Sequence, residues 1–183
     1  MLPNKALQMS HGVDEPVVVV EYDARWAAWY QADAAEISIA LGQRLRGIEH
    51  FGSTAVPGLA GKPIIDVLVA PVEWPLTAED GEALKGCGYQ RLGEAGVPGR
   101  EYFRRRGQHD TNLAVVEFGG RLWHDNLLLR DYLRRNPAAA LEYAGTKRDV
   151  WAGGARQLLA YSAAKAAAVT ALLDAAKTYR GAS

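Results

Sequence analysis

Apolar positions along the chain follow two periods. Residues 17–22, Val-Val-Val-Val-Glu-Tyr, are a β-branched run that predicts an opening strand. After Asp23 the spacing changes to three and four. Trp26, Trp29, Tyr30, Ile37 and Leu41 share one face of a helix that Asp23 caps and Gly42 ends. Residues 45–51 predict a second strand. Residues 64–70, Ile-Ile-Asp-Val-Leu-Val-Ala, predict a third, apolar at every position but Asp66. Residues 77–88 read as a helix with an acidic first turn, closed by glycines. Residues 100–106 and 112–118 predict two antiparallel strands joined by a turn at Gly107-Gln108-His109-Asp110. From about Asp125 the pattern is helical. Pro137 suits a first helical position behind Asn136 as cap, that helix ends near Gly153-Gly154, and an alanine-rich last helix runs to about Tyr179. These elements predict an α+β protein with a small mixed sheet and flanking helices, followed by a three-helix C-terminal part.

Composition narrows the partners. The chain has 183 residues, enough for one domain with a real core. Twenty-one basic and 21 acidic residues give a formal net charge of zero, which weighs against sequence-independent nucleic-acid binding. The single cysteine, Cys87, excludes an intramolecular disulfide and a multi-cysteine zinc site, and reads as a small buried residue of a reducing cytoplasm. No apolar run approaches the roughly 20 residues of a membrane span. The expected organisation is a flexible leader over 1–16, an α/β core over 17–124, and C-terminal helices over 125–183 that pack on it.

The third strand and the loop before it carry the candidate chemistry. Gly52 permits close approach of a ligand to the main chain. Ser53 and Thr54 offer hydroxyl and amide donors of the kind that cradle a phosphate. Pro57 and Pro63 stiffen the loop, and Lys62 adds a positive charge. Asp66 follows on the strand, where a divalent metal would meet that phosphate. His50 stands beside the loop, either as a proton shuttle or as a structural hydrogen-bonding partner. Downstream, Arg130 and Arg134, Tyr143 and Lys147, and Tyr161 and Lys165 are each four apart on a helix face. Converging on the loop, Arg130, Lys147, Tyr161 and Lys165 would make a positive pocket for an anion. Arg100, Arg104, Arg105 and Arg106 read instead as a solvated hairpin edge.

The stretch Glu49-His50-Phe51-Gly52-Ser53-Thr54-Ala55-Val56-Pro57-Gly58-Leu59 with Lys62-Pro63-Ile64-Ile65-Asp66 resembles the signature of the GrpB family (UPF0157). Glu21-Tyr22-Asp23 with Trp26, the run from Arg130 to Arg134, and the pairs Tyr143/Lys147 and Tyr161/Lys165 resemble the rest of it, over about residues 17–176. The resemblance implies a nucleotidyltransferase-like (polymerase-β-like) fold. In that wider group a Gly-Ser at a short helix binds the nucleotide triphosphate, and two carboxylates one residue apart on the next strand hold magnesium. Gly52, Ser53 and Asp66 match the first parts of the pattern.

Two departures bear on activity. Leu68 stands where the second carboxylate would be, on the strand face that Asp66 shares, which leaves two-metal activation short of a ligand. The later strand reads Thr-Asn-Leu-Ala-Val-Val at 111–116 where the family pattern carries histidines, with His109, Asp110 and Glu117 nearby as substitutes. The resulting expectation is a magnesium-assisted nucleotidyltransferase-like enzyme acting on a nucleotide or other phosphate-bearing small molecule. Asp66, His50 and Glu117 are its candidate catalytic residues. Gly52, Ser53, Thr54, Lys62, Arg130, Lys147, Tyr161 and Lys165 are its candidate ligand contacts. The alternatives are a non-catalytic ligand-binding module with a degenerate metal site, and a metal-independent ligase or cyclase using the same cleft.

Overall fold

The computed structural model of the chain describes residues 12–181. Its centre is a five-stranded mixed sheet in the order β1-β2-β5-β4-β3, with β1 Leu45–Phe51, β2 Ile64–Pro71, β3 Gln90–Arg91, β4 Arg100–Arg105 and β5 Asp110–Val116. β2 and β5 run parallel, and every other neighbouring pair is antiparallel. Helices α1 (Arg25–Leu41) and α2 (Ala78–Gly86) cover one face of the sheet. Helices α3 (Arg121–Arg135), α4 (Pro137–Ala152), α5 (Leu158–Ala164) and α6 (Ala166–Gly181) belong to the other side. The architecture is α+β, as the hydrophobic pattern implies.

Strand alternation sorts the two faces. Ile65, Val67 and Val69 of β2, with Phe103, Leu113 and Val115, meet Trp26, Ile37 and Leu41 of α1 and Leu84 of α2 in the main core. Asp66, Leu68 and Ala70 point the other way. There Leu68, Ala70, Ala114 and Val116 pack against Trp123 of α3. The α1 stripe behaves as its spacing requires: Trp26, Ile37 and Leu41 are buried, with Trp29 and Tyr30 packed partly buried beside them. Asp23 accepts a hydrogen bond from the Arg25 amide at 2.9 Å at the start of that helix.

Four expectations need correction. Residues 17–22 form no strand of the sheet. Among the described residues their bridging is limited to an isolated bridge of Val20 with Gly61, next to one between Pro16 and Gln157, and Val17 N donates to the Arg156 carbonyl at 2.8 Å. Val17 is buried beside Tyr102, Leu158 and Tyr161 while Val18 is exposed, so the run lies as a strap across the helical side. The leader read over 1–16 is tied down in its last part: Val13 is buried and Glu15 pairs with Arg106; residues 1–11 lie outside the described residues. The C-terminal part holds four helices rather than three, and begins at Arg121, because the alanine-rich stretch breaks at Lys165 with a bend of 49°. Cys87 is half-buried rather than buried. No single helix among the described residues is long and apolar enough to cross a membrane.

Candidate functional site

A cavity of about 330 Å³ opens between the Asp66 face of the sheet and the C-terminal helices. Its floor is Phe51, Asp66, Asn112, Ala114 and Tyr102, one residue from each turn of the pleat on adjacent strands. Phe51 faces Asp66 across the β1–β2 pair, Asp66 stands beside Asn112, and Ala114 faces Tyr102. Leu129 and Leu133 of α3, Leu158 of α5 and Val169 of α6 make an apolar wall. Gly52, Ser53, Lys62, Arg100, Tyr161 and Lys165 complete the polar end.

The loop glycine is required by its neighbour. Gly52 has φ +72°, and a Cβ there would stand 2.6 Å from Asp66 Oδ2. The absence of a side chain therefore lets the loop close over the carboxylate. Ser53 opens a short 3₁₀ turn, Ser53–Ala55, and its Oγ accepts a hydrogen bond from Lys147 Nζ at 3.0 Å. Lys147 also donates to the Ala60 carbonyl. It is 1% exposed and does not line the cavity. Its expected role as a ligand contact is thus corrected: it is a buried post under the loop. Burial, with Lys165 and Arg148 nearby, pushes its ammonium down to about 7.

Asp66 Oδ1 accepts a hydrogen bond from Asn112 Nδ2 at 2.9 Å. Asn112 is itself oriented by Arg106, whose Nη2 donates to its Oδ1 at 3.0 Å and which Glu15 holds in turn. Lys62, Tyr161 and Lys165 line the cavity. Lys165 lies 4.9 Å from the Tyr161 ring centroid. Burial and the Lys62 charge lower it to about 8, although Asp66 pulls the other way. Tyr161 is fully buried, its hydroxyl has no hydrogen-bond partner among the described residues, and burial pushes it up to about 12. Arg130 lines the cavity with its charge already engaged, donating to Glu49 at 2.7 Å, to Asp131 at 2.7 Å and to the His50 carbonyl at 3.0 Å.

Three other expected site residues are placed elsewhere. His50 faces Val67 in the β1–β2 register, so it points to the α1 side, away from Asp66. It is stacked on Tyr30 with ring centroids 4.5 Å apart and shares a 3.0 Å hydrogen bond with Thr54 Oγ1. Burial lowers it to about 4, so it is a neutral structural group near pH 7 rather than a proton shuttle. Thr54 is buried by the same contact and leaves the cavity to Ser53. Glu117 lies beyond the end of β5, exposed and outside the cavity. His109 donates to Asp33 at 2.9 Å and stacks on Trp29, tying β5 to α1.

Sequence reasoning missed Asn112 and Arg100. Arg100 is no solvated edge residue: it is half-buried, held by the loop that carries Glu94 and Ala95. Its Nη2 donates to the Glu94 and Ala95 carbonyls at 3.1 Å, its Nε is buried without a partner among the described residues, and burial lowers its pKa. The available signal was parity: Arg100 shares a strand face with Tyr102. The remaining arginines of that cluster are paired, Arg104 and Arg106 with Glu15, and Arg105 with Asp33 and Glu36.

The donor set does not fit magnesium. Among the described residues Asp66 is the one carboxylate lining the cavity, one of its oxygens is taken by Asn112, and its lining neighbours include Lys62, Arg100 and Lys165. Leu68 is fully buried under Trp123. No group of three or more His, Cys, Asp or Glu able to hold a metal occurs among the described residues. Magnesium takes several oxygen ligands, and this constellation supplies one carboxylate among cations.

Residues 16–175 match the family described as GrpB protein. A UPF0157 protein of Streptomyces coelicolor is 37% identical over 163 residues, covering 87% of this chain and 84% of that one. The UPF0157 protein YqkA of Bacillus subtilis is 34% identical over 135 residues, 73% of this chain, and the match spans 39% of that relative's own length. Among solved structures, that of the conserved protein GrpB from Enterococcus faecalis superposes with a TM-score of 0.80 at 30% identity, covering 88% of this chain and 99% of that one.

Proposed function

This chain belongs to the GrpB family, and we propose that its cavity binds a small molecule carrying a phosphate or similar compact anion together with an apolar body, without a metal ion. The observation that carries this reading is the state of three lining cations. Lys62, Arg100 and Lys165 are paired with no carboxylate among the described residues, whereas Arg130 is held by Glu49 and Asp131. Burial lowers both Arg100 and Lys165, so each charge is held in an environment that disfavours it. An anion in the cavity would restore the balance, because an opposite charge within about 4–6 Å favours the charged form. The volume of about 330 Å³ sits at the small end of the roughly 300–1,000 Å³ of ligand sites, which suits a monophosphate-sized molecule better than a triphosphate.

In this reading Ser53, fixed by Lys147, and the cations bind the anionic group. Asp66 is the group available to accept a proton or hydrogen bond from the rest of the ligand. Leu129, Leu133, Leu158 and Val169 cover its carbon portion. Magnesium-assisted nucleotidyl transfer, which the wider fold resemblance suggests, has less support, since the place of its second carboxylate is a sealed leucine. The test is thermal melting with inorganic phosphate, nucleoside mono- and triphosphates, each in excess EDTA and again in magnesium. Stabilisation in EDTA that is lost in Lys165→Ala is the expected result. Stabilisation that appears only with magnesium would return the transferase reading, and stabilisation by no phosphate compound would end the anion reading.

A further inference from the structure

Asp66 calls for a more definite partner than a hydrogen-bond donor, because a carboxylate in an anion-binding cavity opposes the charge of the ligand it would meet. Its surroundings suggest why it is there. Asn112 donates to Oδ1 at 2.9 Å, and the Asn112 amide is fixed in that sense because Arg106 donates to its oxygen at 3.0 Å. Asp66 is thereby anchored through one oxygen and presented as an acceptor. Oδ2 lies on the side of Gly52, whose missing Cβ would stand 2.6 Å from it, and it receives no hydrogen bond among the described residues. None of Lys62, Arg100 and Lys165 makes an ion pair with it, although all line the same cavity. One open acceptor oxygen and three cations without a carboxylate partner among the described residues thus line one cavity.

From this charge pattern we infer that the ligand is dipolar: an aminoalkyl phosphate-like molecule whose anionic group meets Lys62, Lys165 and Arg100 and whose protonated amine docks on Asp66 Oδ2. The inference rests on the anion reading above and adds the second charge. A ligand with oxygens at one end and an N–H donor at the other meets the cations and the carboxylate together. A purely anionic ligand meets the cations but places its charge close to a carboxylate, which disfavours it.

The closing experiment uses a matched pair of probes, O-phosphoethanolamine and ethyl phosphate, which differ by the ammonium group. Binding to the full chain is measured by calorimetry in EDTA. The expected result is at least tenfold tighter binding of O-phosphoethanolamine. In Asp66→Asn that ratio falls to near one, and ethyl phosphate binds as well as or better than to the unsubstituted chain, since the opposing charge has gone. Asp66→Ser serves the same purpose if Asp66→Asn melts more than a few degrees lower. Equal binding of the two probes, or a ratio that survives loss of the carboxylate, overturns the dipolar ligand while leaving the anion site standing. Binding of neither probe overturns both.

Discussion

Lys147 Nζ stands 3.0 Å from Ser53 Oγ and is sealed from solvent beneath the loop that Ser53 opens. A lysine in that position makes stability depend on pH in an unusual window. Its ammonium is lowered from 10.5 to about 7 in the folded chain, so between those values the unfolded chain binds more protons. Stability must then rise with pH across that window, and Lys165, lowered to about 8, acts in the same sense. The ceiling for Lys147 is about 5 kcal/mol, from about 3.5 units at 1.36 kcal/mol each, and about 1–3 kcal/mol is expected after relaxation. Urea unfolding of the unsubstituted chain should show stability climbing from pH 7 to 9.5. Lys147→Met should flatten the climb and weaken phosphate binding several-fold by releasing Ser53. An equal slope in both chains would show that Lys147 keeps an ordinary affinity for its proton.

Gly52→Ala separates close approach from backbone conformation. Gly52 (φ +72°) and Gly58 (φ +78°) share the left-handed region, but a Cβ at 58 meets nothing within 4 Å, whereas one at 52 stands 2.6 Å from Asp66 Oδ2. Gly58→Ala should therefore lose only the backbone preference, about 1 kcal/mol. Gly52→Ala should lose about 2–3 kcal/mol and also displace Asp66, removing the preference for O-phosphoethanolamine over ethyl phosphate. Equal losses in the two variants, with that preference intact, would show that the loop and Asp66 are independent.

Much of this fold follows from local pattern, and the exceptions share a cause. The strands at 64–70 and 100–106 and the amphipathic face from Trp26 to Leu41 are legible because their periods match the surfaces they bury. Residues 17–22 are as β-prone as any strand here, yet they cross the helical side as a strap. Propensity sets an extended backbone and does not choose its neighbour. The break at Lys165 carries no glycine or proline, so nothing local marks the turn that brings Lys165 to the cavity. At the site, Asp66 stands out as an acid in an apolar strand. Asn112 and Arg100 do not, because their roles come from strand register, Asp66 beside Asn112, which pairs distant segments. His50 shows the converse: it adjoins the loop in sequence, but strand alternation turns it to the opposite face.

That orientation makes His50 a stability group with an acid signature. Burial lowers it from 6.5 to about 4, so between those values the unfolded chain takes up a proton that the folded chain refuses. Stability is present above about pH 6.5 and declines as pH falls toward 4, by up to about 3 kcal/mol from about 2.5 units. His50→Gln should make the acid side of the stability profile shallower than that of the unsubstituted chain, read as the difference between the two denaturation curves. Ligand affinity at pH 7 should be unchanged, since the ring stacks on Tyr30 away from the cavity. A tenfold loss of affinity would instead place His50 in the binding machinery.

Leu68→Asp restores in sequence the paired carboxylates that a two-metal site needs, and the packing argues that it restores nothing else. Leu68 shares its strand face with Asp66, but it is fully buried and packs in one cluster with Ala70, Ala114, Val116 and Trp123. A carboxylate there would be enclosed by hydrocarbon with no donor to satisfy it, while the leucine's own packing is lost. The two losses together should lower stability by about 3–5 kcal/mol. A magnesium ion could recover this only by displacing the Trp123 side chain, because the apolar cover leaves no path for its hydration waters. Denaturation of Leu68→Asp with and without 10-fold excess magnesium over protein should therefore give superimposable curves. A magnesium-dependent gain of about 2 kcal/mol or more would mean that Trp123 yields readily. The apolar cluster over β2 would then be an open half-site rather than a sealed core.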